Sequence, residues 1–128
     1  MSFLKGIDHI QVAAPKGSEN EARRFYSEVL GMEELEKPDL LKGRGGCWFI
    51  CGQQEVHVGI EEPFNPSKKA HPGFIADNLE ELRNKLHSAG YLVKEDAPIA
   101  GRNRFFTEDP FGNRIEFLEF GKDDGRTK

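Results

Sequence analysis

The chain has 128 residues, 37% of them hydrophobic and 31% charged, with a formal net charge of −4. That length makes one domain, or two small modules sharing a core. The acidic balance argues against a nucleic-acid partner, and no run of about 18 apolar residues exists to span a membrane. The opening Met1-Ser2-Phe3-Leu4-Lys5-Gly6 lacks a signal peptide's apolar stretch, so the cytoplasm is the expected compartment.

Residues 7–13 alternate as a strand does, with Ile10 and Val12 on one face and His9 and Gln11 on the other. Ser18-Glu19-Asn20-Glu21 has the spacing of a capping box. It opens a helix whose apolar positions Ala22, Phe25, Tyr26, Val29 and Leu30 form one stripe, ended by Gly31. A short strand is predicted over 32–36 and a loop over 38–46. Strands over 47–51 and 55–60 follow, joined around Gly52-Gln53-Gln54. The first half therefore reads β-α-β-β-β. Residues 61–70, with Pro63 and Pro66, read as a linker.

The second half repeats that order. A strand over 74–76 precedes a helix capped by Asp77-Asn78, with the stripe Leu79, Leu82, Leu86 and a terminal Gly90. Strands are predicted over 91–94, 104–107 and 114–120. The last two are joined by Asp109-Pro110-Phe111-Gly112-Asn113, where proline presets φ and glycine is free to take positive φ. The modules run over about 5–62 and 70–120, and 121–128 reads as a polar, flexible tail.

The repeat places four chemically active side chains at matching points. His9 and His71 are 62 residues apart, His57 and Glu116 are 59 apart, and the helix-ending Gly31 and Gly90 are also 59 apart. Each helix covers one face of its sheet. Val56, Val58, Ile115 and Phe117 belong under the helices by parity, so His9, His57, His71 and Glu116 emerge on the uncovered faces. Three imidazoles and a carboxylate suit a borderline divalent metal such as Zn, Ni, Fe or Mn. A buried Glu116 needs a countercharge, and a metal ion, Arg104 or Arg114 would each supply one. Arg102, Arg104 and Arg114 are also candidates for holding an anionic substrate. His87 reads as solvent-facing. Trp48 and Phe49 take opposite faces, as do Phe105 and Phe106, and alternation alone does not assign them. Cys47 and Cys51 would share a strand face roughly 13 Å apart, too far for a disulfide, so both read as reduced thiols.

Several segments together resemble the vicinal oxygen chelate superfamily, which includes glyoxalase I, fosfomycin-resistance transferases, bleomycin-resistance proteins and extradiol dioxygenases. They are Asp8-His9-Ile10, Phe25-Tyr26-Ser27-Glu28-Val29-Leu30-Gly31, the second start at His71, and Asp109-Pro110-Phe111-Gly112-Asn113-Arg114-Ile115-Glu116-Phe117. The resemblance implies an α+β fold of two paired βαβββ modules forming an open cup. It also implies one divalent metal held by His9, His57, His71 and Glu116, with Glu116 doubling as the catalytic base.

The function expected on these grounds is a metal-dependent glyoxalase-like enzyme. It would act on a small substrate chelated through vicinal oxygens, by lyase or isomerase, thiol-transferase or dioxygenase chemistry. The alternative is a metal-free, small-molecule-sequestering protein of the bleomycin-resistance type. A homodimer is expected, because pairing covers sheet edges and apolar rims.

Overall fold

The computed structural model of the chain describes residues 2–121. The tail expected at 121–128 therefore lies, beyond Gly121, outside the described residues. The chain divides into two compact units, Met1–Asn65 and Pro66–Lys128. The fold is α+β: each unit is a small mixed sheet with one main helix, as the sequence predicts.

In the first unit β1 (His9–Ala14) leads into a helical segment, α1. It starts as an α-helix over Glu19–Ala22 and continues as a π-helix over Arg23–Val29. The helix buries most of the expected stripe: Ala22, Phe25 and Tyr26 are wholly buried and Val29 nearly so, while Leu30 is half-buried. Removing such side chains from water stabilises the fold by about 1.5–3 kcal/mol each. The capping box does not form. The Ser18 hydroxyl donates back to the Pro15 carbonyl instead, and the Glu19 carboxylate accepts the Gly46 N–H at 2.8 Å. Gly31 closes the helix at φ 84°.

Three strands follow: β2 (Glu33–Leu35), β3 (Cys47–Cys51) and β4 (Gln54–Ile60). The segment expected as a loop over 38–46 contains a 3-10 helix, Asp39–Arg44. Sheet order is β1-β4-β3-β2, with β1 parallel to β4 and the other pairs antiparallel. Gly46 has φ 87°, and a Cβ there would sit 2.1 Å from the Val58 carbonyl oxygen, so only glycine lets the loop close on β4.

The second unit repeats the start. β5 (Gly73–Ile75) is parallel to β7 (Arg114–Phe120), which pairs antiparallel with β6 (Arg102–Glu108), in the order β5-β7-β6. Between β5 and β6 lies α2 (Leu79–Ser88), capped by the Asn78 side chain, which accepts the Glu81 N–H at 3.1 Å. The Leu79 N–H donates to Glu119 of β7 at 2.8 Å, which ties the helix start to the sheet.

The strand expected over 91–94 is a correction. Only Lys94 makes a bridge, to Phe106, so this sheet has three strands and not four. The Tyr91 N–H is committed to the Leu86 carbonyl at the helix end, and Leu92 is half exposed, so the segment has neither the donors nor the burial for a full ladder. The turn before β7 is built as expected. Asp109 Oδ1 accepts the N–H groups of Phe111 and Asn113, and Gly112 takes φ 92°. Buried Asn113 donates to Asp109 Oδ2 and accepts the Ser67 N–H, both at 2.9 Å.

Among the described residues, no helix is long and apolar enough to cross a membrane. Both cysteines are free, and burial pushes the Cys47 thiol up to about 11 and the Cys51 thiol upward as well.

Candidate functional site

Strand pairing puts His9, His57 and Glu116 on the faces opposite the helices, and His71, just before β5, reaches Glu116 on that face. In the first unit Gln11 and Trp48 flank His57 across the ladders. Phe49, the next residue on β3, packs against Tyr26 of α1 with ring centroids 5.8 Å apart. That assigns the pair left open by alternation: Phe49 goes under the helix and Trp48 to the other face. In the second unit Phe105 lies under Arg83 of α2 at 4.9 Å and touches Phe117. Phe106 pairs with Glu116 on the opposite face.

The register is the same in both units. Gln11 is opposite His57 and Gly73 is opposite Glu116. In each unit the first histidine, His9 or His71, stands two residues before that pair.

The first unit answers this arrangement with a stack of rings. His57 lies between Trp48, at 3.9 Å and 0°, and His9, at 4.2 Å and 16°. His57 Nε2 meets Glu55 Oε1 at 2.9 Å, and His9 Nδ1 meets Asp8 Oδ2 at 2.9 Å. A carboxylate only accepts, so each of these nitrogens carries the proton it donates. His9 is left with Nε2 as its lone-pair nitrogen and is half exposed, whereas His57 has committed Nε2 and is buried.

The second unit answers with ions. His71 Nε2 is 3.0 Å from Glu116 Oε1, and Arg104 Nη1 reaches Glu116 Oε2 at 3.3 Å. Arg104 is therefore the guanidinium that meets Glu116. Arg114 instead pairs with Asp96 at 3.4 Å and lies over Phe106 at 3.9 Å. His71 Nδ1 faces the Lys69 carbonyl at 2.9 Å. A carbonyl cannot donate, so Nδ1 bears the hydrogen and Nε2 of the neutral ring is a lone pair. A lone pair aimed at a carboxylate oxygen requires a cation between them, either a proton or a metal ion.

The spacing suits a metal. Two ligand atoms about 2.1 Å from one ion at about a right angle are about 3 Å apart. Gly73 leaves room beside the carboxylate, where even a Cβ would stand 3.8 Å from Oε1. His71 and Glu116 thus fit as neighbouring ligands, with the Lys69 carbonyl holding the tautomer. His9 matches in having Nδ1 engaged and Nε2 as the lone-pair nitrogen. His57 fits less directly, because Glu55 engages its Nε2. Among the described residues, no group of three or more His, Cys, Asp and Glu side chains gathers to hold a metal ion, and the donors stand in pairs.

Three residues beyond the sequence's four candidates, Glu55, Asp8 and Lys69, each orient a candidate ligand. The period-2 rule places Glu55 on the face of His57, the one signal that could have found it. The Lys69 contact is through backbone and leaves no trace in residue type. His87 is exposed, as expected.

Comparison with known proteins places residues 6–117 within the family model described as the Glyoxalase/Bleomycin resistance protein/Dioxygenase superfamily. A crystal structure of a glyoxalase family protein from Bacillus anthracis is 52% identical, with a TM-score of 0.90, over 94% of this chain and 98% of that one. A lactoylglutathione lyase of Haemophilus influenzae is 26% identical over 115 residues, which cover 80% of this chain and 85% of that protein. A chloroplastic relative from Arabidopsis thaliana, 28% identical over 117 residues and 82% of this chain, is longer, and the chain spans 33% of it.

Proposed function

Because the chain belongs to the Glyoxalase/Bleomycin resistance protein/Dioxygenase superfamily, we propose that it is a metal-dependent glyoxalase-like enzyme acting on a small substrate with vicinal oxygens. Its reaction is of the lyase or isomerase type, as the name of the Haemophilus relative implies for that protein. The observation that carries the reading is the 3.0 Å approach of His71 Nε2 to Glu116 Oε1, with Nδ1 tied to a backbone carbonyl. His71, Glu116 and His9 are the proposed ligands of one divalent ion, Zn, Ni, Fe or Mn. His57 is a fourth ligand or a ring that holds His9.

A divalent ion held there supplies Lewis-acid polarisation of the substrate oxygens. The rest falls to the chain's own residues. Glu116 takes a proton from the hydroxyl-bearing carbon of a 2-oxoaldehyde–thiol adduct and returns it to the neighbouring carbonyl carbon. The adduct becomes a 2-hydroxyacyl thioester with no net change in atoms. Arg104 holds Oε2 and so orients the carboxylate, while the Lys69 carbonyl and Asp8 hold the rings of His71 and His9. The proposed assembly is a cytoplasmic homodimer, for which light scattering at tens of micromolar is the check.

The second reading, metal-free sequestration of a small molecule, is favoured by a different observation. Arg104 and a protonated His71 together satisfy both oxygens of Glu116 without a metal. Calorimetric titration of chelator-stripped protein with Zn²⁺, Ni²⁺, Fe²⁺ and Mn²⁺ separates the two, followed by assay on methylglyoxal–thiol adducts. The enzyme reading expects uptake of one ion per chain that weakens in His9→Ala. Equally poor uptake by wild type and His9→Ala leaves the sequestering reading in its place.

A further inference from the structure

Beside the ring stack, on the same face of the first sheet, lies a cavity of about 190 Å³. Gln11, Lys37, Leu41, Arg44, Trp48 and Ile60 contribute to its lining. Its chemistry is uneven. Two other cations of this unit are neutralised by acids: Arg23 pairs with Glu34, and Lys42 with Glu36 and Asp39. Lys37 and Arg44 have no carboxylate partner among the described residues. Lys37 donates instead to the Gly45 carbonyl, which holds its stem at the cavity wall. Glu19 attracts Lys37 only at a distance, and its own carboxylate is engaged by the Gly46 N–H. The cavity therefore presents two cations with no carboxylate in contact, an amide from Gln11 and the indole of Trp48, one face of which is already taken by His57.

We infer that this cavity binds a compact oxyanion-bearing arm of the substrate, with Arg44 and Lys37 holding the anion and Trp48 packing against the arm. The inference rests on the proposed enzyme reading for its link to turnover, but binding itself requires no metal. Size narrows the class. Pockets that enclose drug-sized ligands span about 300–1,000 Å³, so 190 Å³ admits a short acid such as a two- or three-carbon carboxylate, or a phosphate, and not a peptide arm. Guanidinium and ammonium groups together favour an oxyanion of either kind, because the first supplies a planar fork and the second a point charge.

Trp48 is the sole tryptophan of the chain, so its fluorescence reports on the cavity wall and on the His57 ring stacked against it. The test titrates full-length, chelator-stripped protein with pyruvate, mercaptoacetate and inorganic phosphate at constant ionic strength, with methyl pyruvate as the neutral control. Saturable change is expected with at least one of the anions and none with the ester. Saturation by the carboxylates or by phosphate identifies which oxyanion the arm carries. Arg44→Ala, a change at an exposed side chain, is expected to weaken binding about tenfold, the effect of losing one charge-assisted hydrogen bond. Lys37→Gln is expected to weaken it similarly. Lack of saturation with every anion, or wild-type affinity in both variants, overturns the inference. Because the readout needs neither metal nor turnover, its failure leaves the enzyme reading standing. Failure of metal uptake likewise leaves this site standing.

Discussion

The two units share one register and fill it with opposite chemistry. Around His57 the first unit builds a sandwich of three rings, so a buried imidazole is satisfied by stacking and one carboxylate. Around Glu116 the second unit builds an ionic cluster, in which His71 and Arg104 each take one oxygen. The difference follows from the inner residue, His57 or Glu116, and from its neighbours on the paired strand, Trp48 in one unit and Phe106 with Arg104 in the other. A neutral ring is content between rings, whereas a carboxylate away from water needs positive partners. Each unit also keeps one outer histidine whose Nδ1 is engaged by a neighbouring oxygen, so that Nε2 is the nitrogen turned outward. The repeat thus preserves the orientation of one imidazole while the inner position diverges.

The largest expected effect tests whether the ionic half is the chemical half. Glu116→Gln is expected to lower turnover of methylglyoxal–thiol adducts by about a hundredfold or more. Urea denaturation should show a loss of only about 1–3 kcal/mol, from leaving Arg104 without its carboxylate. Equal loss in His57→Phe would place the chemistry in both halves.

The turns before the final strands give a second contrast. Asn113→Ala removes bonds to Asp109 and Ser67 at a site 2% exposed, and is expected to cost about 2–3 kcal/mol in urea denaturation. Gln53→Ala, in the exposed turn between β3 and β4, should stay within about 0.5 kcal/mol.

Alkali should weaken the first unit, where both thiols lie. Burial raises Cys47 from 9.0 to about 11. The unfolded chain therefore loses that proton first as pH rises. The stabilisation is complete below pH 9 and disappears as pH climbs through 11. The denaturation midpoint should fall across this window in wild type and flatten in Cys47→Ala. Iodoacetamide should label Cys47 slowly at pH 8 unless the protein is unfolded.

The smallest effect sharpens the role of the ring stack. His57→Phe keeps a flat ring between Trp48 and His9, and is expected to move the melting temperature by no more than about 4 °C, or about 1 kcal/mol. Divalent-ion affinity, measured by calorimetry, should fall less than tenfold. A larger fall would make His57 a ligand and the two units chemically equivalent after all.

Much of this was legible in residue order. The 62- and 59-residue offsets, the stripe from Ala22 to Val29, the glycine stops at Gly31 and Gly90 and the turn through Asp109 and Asn113 are local signals, because each depends on backbone geometry within a few residues. Alternation placed His57 and Glu116 opposite the buried faces of their strands for the same reason. It did not choose between Trp48 and Phe49, two apolar neighbours of equal claim, until Tyr26 covered one of them. Nor did it show that residues 91–94 fail to pair, since Tyr91 reads as a strand former until its N–H is drawn to Leu86. The nitrogen that each histidine offers is also outside the reach of sequence. Lys69, Asp8 and Glu55 decide it through contacts whose direction exists only once strands and loops are set side by side. The chain's order thus determined which residues share a face. Tertiary structure decided which atoms on that face meet, because hydrogen bonds and ring stacks depend on angles and distances that periodicity does not carry.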